Sequence, residues 1–122
     1  MFQYSANVVR VVDGDTAYFD IDLGFQIRMK IDVRLRGINT PETRGASREA
    51  GLKSKAYVEA AQPAGSLVIV NTYKAEKYGR YLADIYYLPG AQTRDEVLAK
   101  GRLLNKELLD KGLAVPYMVE PG

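Results

Sequence analysis

With 122 residues, 47% of them apolar and only five prolines, the chain is long enough for one packed domain, 1–122, and too short for two. It has no cysteine and no histidine, which removes disulfide scaffolds, thiolate zinc sites, a cysteine nucleophile, an imidazole base and the common nitrogen-ligated zinc sites. Seventeen basic against fifteen acidic residues leave a net charge of +2, so any bound anion must be gripped locally and not by bulk charge.

Met1 to Val12 lacks the basic start and apolar core of a signal peptide, and no apolar run reaches membrane-spanning length. The default expectation is a cytoplasmic protein without membrane association, secreted only if a leader has been removed. Val8, Val9, Val11 and Val12 form a strand that runs into Asp13-Gly14-Asp15, after which Thr16 to Ile21 resume strand composition: a hairpin signal. Leu23-Gly24 reads as the next turn. Phe25, Ile27, Met29, Ile31, Val33 and Leu35 then alternate with mostly polar partners, which predicts a long third strand with one buried face.

From Ser47, a candidate N-cap, to Gln62 the composition turns helical, with Ala46, Ala50, Tyr57 and Ala61 at near-helical spacing beside Ala56 and Ala60. Gly51 inside it costs about 1 kcal/mol relative to alanine, so this helix must depend on docking. Leu67 to Val70 predicts a central strand and Tyr81 to Leu88 another, closed by Pro89-Gly90. Thr93-Arg-Asp-Glu96 is a capping box for a short helix ending before Gly101, and Leu104, Leu108 and Leu109 stripe a last helix capped by Gly112. The tail after Pro116 reads as irregular. The expected fold is mainly β with helices (α+β): a five-stranded, partly open OB-fold barrel with two or three packed α-helices.

Three segments carry candidate chemistry: Asp13-Gly14-Asp15-Thr16, Arg34 to Thr43, and Lys77-Tyr78-Gly79-Arg80. Each alone also reads as ordinary structure. Asp-Gly between strands is commonly just a turn, Arg34 can be a solvated strand residue, Asn39-Thr40-Pro41-Glu42 can be a loop entering a helix, and Lys77 to Arg80 an exposed bend. Arg34 and Arg36 should share one face of their strand, upstream of hard oxygen donors, a set suited to metal-assisted work on phosphate.

In this order and spacing, the segments together with Leu-Asn-Lys-Glu-Leu-Leu-Asp-Lys-Gly-Leu-Ala (104–114) resemble the staphylococcal nuclease (thermonuclease) family, from about Val8 through Tyr117. The resemblance implies an OB-fold barrel and calcium-dependent hydrolysis of DNA and RNA phosphodiesters, giving 3′-phosphate and 5′-hydroxyl ends. Residue by residue, it makes Asp15 the carboxylate ligand of calcium and the Thr40 carbonyl a second ligand, with Asp13 behind them. It makes Arg34 and Arg80 the phosphate clamp, Glu42 the acid that handles the attacking water, Lys77 and Tyr78 the holders of a terminal phosphate, and Tyr117 an aromatic against the nucleotide. Arg36 has no role in the family pattern and reads as structural or solvated.

Three departures stand out. Asn39 occupies the place of a second metal-binding aspartate, which keeps an oxygen donor but loses a charge. Val119 replaces a second aromatic, Ala91 to Arg102 reads as an insertion, and the long C-terminal helix of the best-known member is expected to be missing from a sequence that stops at Gly122. The expected partners are DNA and RNA, single strands favoured, for a monomer or weak homo-oligomer. The alternative is a noncatalytic OB-type domain that binds single-stranded nucleic acid or a protein, its metal site weakened by Asn39. A tyrosine-rich peptide-binding surface is a third reading, weakened because most of the tyrosines fall on strand or helix positions.

Overall fold

The structure, a computed structural model, describes residues 2–73 and 79–117. Lys77, Tyr78 and Val119, singled out above, lie outside those residues. β-branched and aromatic residues favour pleated strands, and they build β1 (Phe2–Asp13), β2 (Thr16–Gly24) and β3 (Ile27–Leu35), an antiparallel meander. β1 begins at Phe2, well before the valines that signal it. It then pairs on its other side with β5 (Leu67–Thr72), which pairs with β6 (Tyr81–Tyr87). β6 returns to β3 in parallel over three pairs, Val33↔Tyr81 to Leu35↔Ala83. The expected five-stranded, partly open OB-type barrel is therefore observed, with a short seam between β3 and β6 and Phe19, Val33, Leu35, Val68, Val70 and Ile85 in its core.

Two expectations for the β2–β3 hairpin are corrected. The turn is Phe25-Gln26, not Leu23-Gly24: both residues have positive φ, 54° and 64°, as a tight two-residue turn with right-handed strand twist requires. Along β3 only Val33 and Leu35 are buried, whereas Ile27 and Met29 are 56% and 51% exposed. The cause is length. β3 meets β6 only from Val33 onward, so the hairpin projects beyond the seam, and Met29 and Ile31 line an open groove with Phe2, Thr72 and Tyr81 instead of a closed core.

β4 (Ile38–Asn39) leads through a 3₁₀ turn (Gly45–Ser47) into α1 (Arg48–Ala61). The buried face of α1 is Gly51, Ser54 and Val58, while Ala46, Ala50, Ala56 and Ala60 are exposed and only Tyr57 and Ala61 are half-buried, so the alanine stripe is not the docking face. Nor does the Ser47 side chain cap the helix. α2 (Arg94–Lys100) opens with the expected capping box of Thr93 and Glu96 and buries Val97. β7 (Arg102–Leu103) joins the edge of β6, and α3 (Leu104–Asp110) buries Leu104 and Leu108. β8 (Val115–Pro116) pairs with β4, Tyr117 beyond it is in no regular element, and the rest of the tail lies outside the described residues. No described helix is long and apolar enough to cross a membrane.

The seam is held by polar groups. Arg36 forks onto Asp84 (3.3 and 3.1 Å) and stacks on Tyr73, whose hydroxyl donates to the same carboxylate at 3.1 Å. Asn105, at the start of α3, donates to the carbonyls of Arg36 and Ala83 and accepts from the Ile85 amide. Arg36 is thus a structural clamp, as its lack of a family role suggests.

Candidate functional site

Asp15 lies in the turn between β1 and β2, and the Thr16↔Arg34 pairing brings Arg34 alongside. Its carboxylate is almost fully buried. Oδ2 accepts the Thr40 N–H at 3.0 Å, and Oδ1 accepts the Thr16 hydroxyl at 3.2 Å. Nη2 of Arg34 is 3.6 Å from Oδ2 of Asp15 and donates to Oδ1 of Asn39 (3.0 Å) and the Ile38 carbonyl (3.3 Å). The Arg34 Nε is buried without a partner, and the guanidinium lies 4.9 Å from the centre of the Tyr117 ring. Arg80 reaches the same place from the start of β6, its Nη1 donating to the Thr16 hydroxyl at 3.4 Å. Two guanidinium groups from separate segments therefore converge on one carboxylate, one directly and one through Thr16.

The two acids of the turn are driven apart electrostatically. Burial, a hydrogen bond to Asp15 and repulsion by its charge push the Asp13 carboxyl up to about 6, although the Asp15 amide donates to it at 3.1 Å. Burial also acts to raise Asp15. The Asp13 hydrogen bond, the Thr40 amide, the Arg34 charge and the Thr16 hydroxyl outweigh it, so Asp15 is held below its ordinary value. The arrangement keeps one firm anion at the centre of the site.

α1 sets the loops around that anion. A Cβ on Gly51 would collide with the Glu42 carbonyl oxygen, and one on Gly14 would stand 2.8 Å from the Thr40 methyl and 2.9 Å from the Ser54 Cβ. Ser54 donates to the Leu113 carbonyl (2.6 Å), and Ser47 donates to the Glu42 carbonyl (3.1 Å), the use its hydroxyl finds in place of capping. Only small residues allow this approach. The Glu42 side chain is exposed, with no hydrogen bond or ion pair among the described residues.

The oxygens of Asp15, Asn39 and the Thr40 carbonyl fit a hard cation such as calcium in donor chemistry. They carry one formal negative charge, and Nη2 of Arg34 stands against two of the three residues. Among the described residues no group of three or more acidic side chains is placed to hold a metal. Of the residues expected at the site, Asp13, Asp15, Arg34, Asn39, Thr40, Arg80 and Tyr117 come together. Glu42 is held by its backbone beside them, and Thr16, part of the Asp13 to Thr16 segment but given no role of its own by the sequence, is the bridge to Arg80.

The fold and site define a class: an OB-type barrel that presents two arginines, a buried aspartate and an acidic loop on its outer surface. A model of the staphylococcal nuclease homologue family matches residues 32–121, and the chain belongs to that family. The matched span contains Arg34, Glu42, Arg80 and Tyr117, while Asp13 and Asp15 precede it and are tied to it by the β2–β3 pairing. The chain is also 30% identical over 105 residues to an uncharacterized protein of Methanocaldococcus jannaschii, an alignment that covers 68% of this chain and 48% of the relative. The chain thus spans about half the length of that relative.

Proposed function

We propose that this chain hydrolyses phosphodiester bonds of DNA and RNA, single strands preferred, leaving 3′-phosphate and 5′-hydroxyl ends, with calcium as its metal. The observation that carries the reading is the convergence of Arg34 and Arg80 on Asp15. Planar guanidinium forks match pairs of phosphate oxygens and offset the charge that grows on them during in-line attack. Glu42, exposed on a loop clamped by Ser47 and Gly51, can orient and deprotonate water in a chain without histidine. Tyr117 offers a ring beside the clamp for a base. Calcium, held by Asp15, Asn39 and the Thr40 carbonyl, would supply Lewis-acid polarisation of the phosphoryl group.

The single formal charge of the donor set favours a second reading, a binding module without turnover. End-labelled single-stranded DNA at millimolar calcium separates the two. A hydrolase cuts it, stops on chelation and loses about a hundredfold or more in turnover with Glu42→Gln; a binding module retains the DNA uncut, and Glu42→Gln changes nothing.

A further inference from the structure

A phosphodiester joins two nucleosides, and the site described above offers a contact to one base only, the Tyr117 ring beside Arg34. Arg34 also touches Asn39, which lines a recess of about 180 Å³ with Thr40, Pro41, Leu113, Ala114 and Val115. Four of these residues are apolar, while Asn39 and Thr40 belong to the site itself, so the recess is continuous with the phosphate grip. A cavity of about 150 Å³ holds benzene. The recess therefore takes one six-membered ring, and the fused second ring of a purine is left outside. Tyr117 follows two residues after Val115, and its N–H donates to the Gly37 carbonyl at 2.9 Å, which continues the β4–β8 pairing and fixes the ring relative to the recess. The polar group of the recess is Asn39. Its Oδ1 accepts from Arg34 at 3.0 Å, and its Nδ2 has no hydrogen bond among the described residues. Whether Oδ1 faces the guanidinium or a cation, Nδ2 is left to donate elsewhere, which an aspartate at this position could not do.

We propose that the recess binds the second base of the phosphodiester, a pyrimidine, whose O2 accepts a hydrogen bond from Nδ2 of Asn39. The proposal rests on the reading of Arg34 as the phosphate grip of a phosphodiesterase, and it makes Asn39 a specificity-determining residue. Thymine, uracil and cytosine all carry that carbonyl, so the recess separates one-ring from two-ring bases and does not separate one pyrimidine from another. One base against Tyr117 and its neighbour in the recess are splayed apart on either side of a phosphate held by Arg34. Unstacked bases of this kind are presented by single strands, not by a duplex.

Fluorescence anisotropy with labelled hexamers of thymidylate, cytidylate and adenylate, in chelator so that no strand is cut, reads the preference without turnover. The parent should bind the thymidylate and cytidylate hexamers about fivefold more tightly than the adenylate hexamer, the worth of one hydrogen bond. Asn39→Ala also removes an acceptor of Arg34 and should weaken all three, so the ratio is the quantity read, and it should disappear. Asn39→Asp should abolish the ratio as well, because a carboxylate has no donor. Val115→Phe, which fills the recess from an exposed position and leaves the amide in place, should weaken the two pyrimidine hexamers and spare the adenylate one. Failure to bind any hexamer would remove the phosphodiesterase reading and this proposal with it. Equal binding of all three, cytidylate held as weakly as adenylate, or a ratio that survives both Asn39→Ala and Val115→Phe overturns the proposal and leaves the phosphodiesterase reading standing.

Discussion

A methyl group on Gly51 would overlap the carbonyl oxygen of Glu42 and sit 2.8 Å from that of Pro41, so the first turn of α1 rests directly on the backbone of the acidic loop. Alanine there should gain about 1 kcal/mol of helix propensity. The clash is with backbone, which no side-chain rotation relieves, and overpacking of this kind costs about 1–3 kcal/mol. Gly51→Ala is expected to lower stability by about 1 kcal/mol in urea unfolding and to lower kcat as the loop shifts. Glu42→Gln, altering an exposed side chain, should leave stability within about 0.5 kcal/mol of the parent while lowering turnover by about a hundredfold or more. A Gly51→Ala variant that is more stable and fully active would refute the positioning role.

What could be read from the chain divides along physical lines. The Thr93 and Glu96 capping box and the Leu104 and Leu108 face are local patterns found where expected, and the strands are found too, though β1 starts earlier and the β2–β3 turn falls two residues later than their patterns suggest. The docking face of α1 is not local. Composition favours its alanines, but the loop backbones come so close that only Gly51 and Ser54 fit. The seam is equally silent, because Arg36 and Asp84 are 48 residues apart and nothing near either announces the other. At the site, Asp15, Arg34 and Arg80 are visible only as separate weak segments whose order resembles a family. Their convergence through Thr16 is a tertiary fact.

Asn39→Asp should tighten calcium binding. The Asn39 side-chain oxygen already lies 3.0 Å from the group that touches Asp15, so a carboxylate there adds charge to the same small volume. Calcium affinity follows ligand charge, and at an exposed position the gain is expected to be about tenfold, roughly 1.4 kcal/mol. Isothermal titration calorimetry without nucleotide reads it directly, and equal affinities would remove Asn39 from the ligand set.

Arg34 should affect turnover and metal binding in opposite directions. Its Nη2 stands against Asp15 and Asn39, where it disfavours a second cation as long as no phosphate draws it away. Arg34→Ala is therefore expected to bind calcium several-fold more tightly in the absence of nucleotide, while kcat falls by about a hundredfold or more. Arg34→Lys should lose nearly as much turnover, since an ammonium cannot match two oxygens at once. Unchanged kcat with raised KM would reassign Arg34 to simple substrate binding.

Asp13 gives a pH dependence of definite sign. Its carboxyl is raised from an ordinary value of 3.8 to about 6, so folding favours its protonated form. That contribution is fully present below about pH 4 and is lost as pH rises through about 6. A rise of this size would amount to about 3 kcal/mol in full shielding, but the half-buried position reduces this to on the order of 1 kcal/mol. Asp13→Asn keeps the acceptor for the Asp15 amide and supplies a neutral donor in place of the acid proton. In chelator, the variant should match the parent near pH 4 and exceed its stability by about 1 kcal/mol near pH 7.5. Asp15 does not blur this window, because a lowered carboxyl gives up its contribution only as pH falls below the ordinary value. Urea midpoints at the two pH values decide the matter, and an Asp13→Asn variant less stable than the parent at about pH 7.5 would show that the Asp13 charge is welcomed by the turn, not forced upon it.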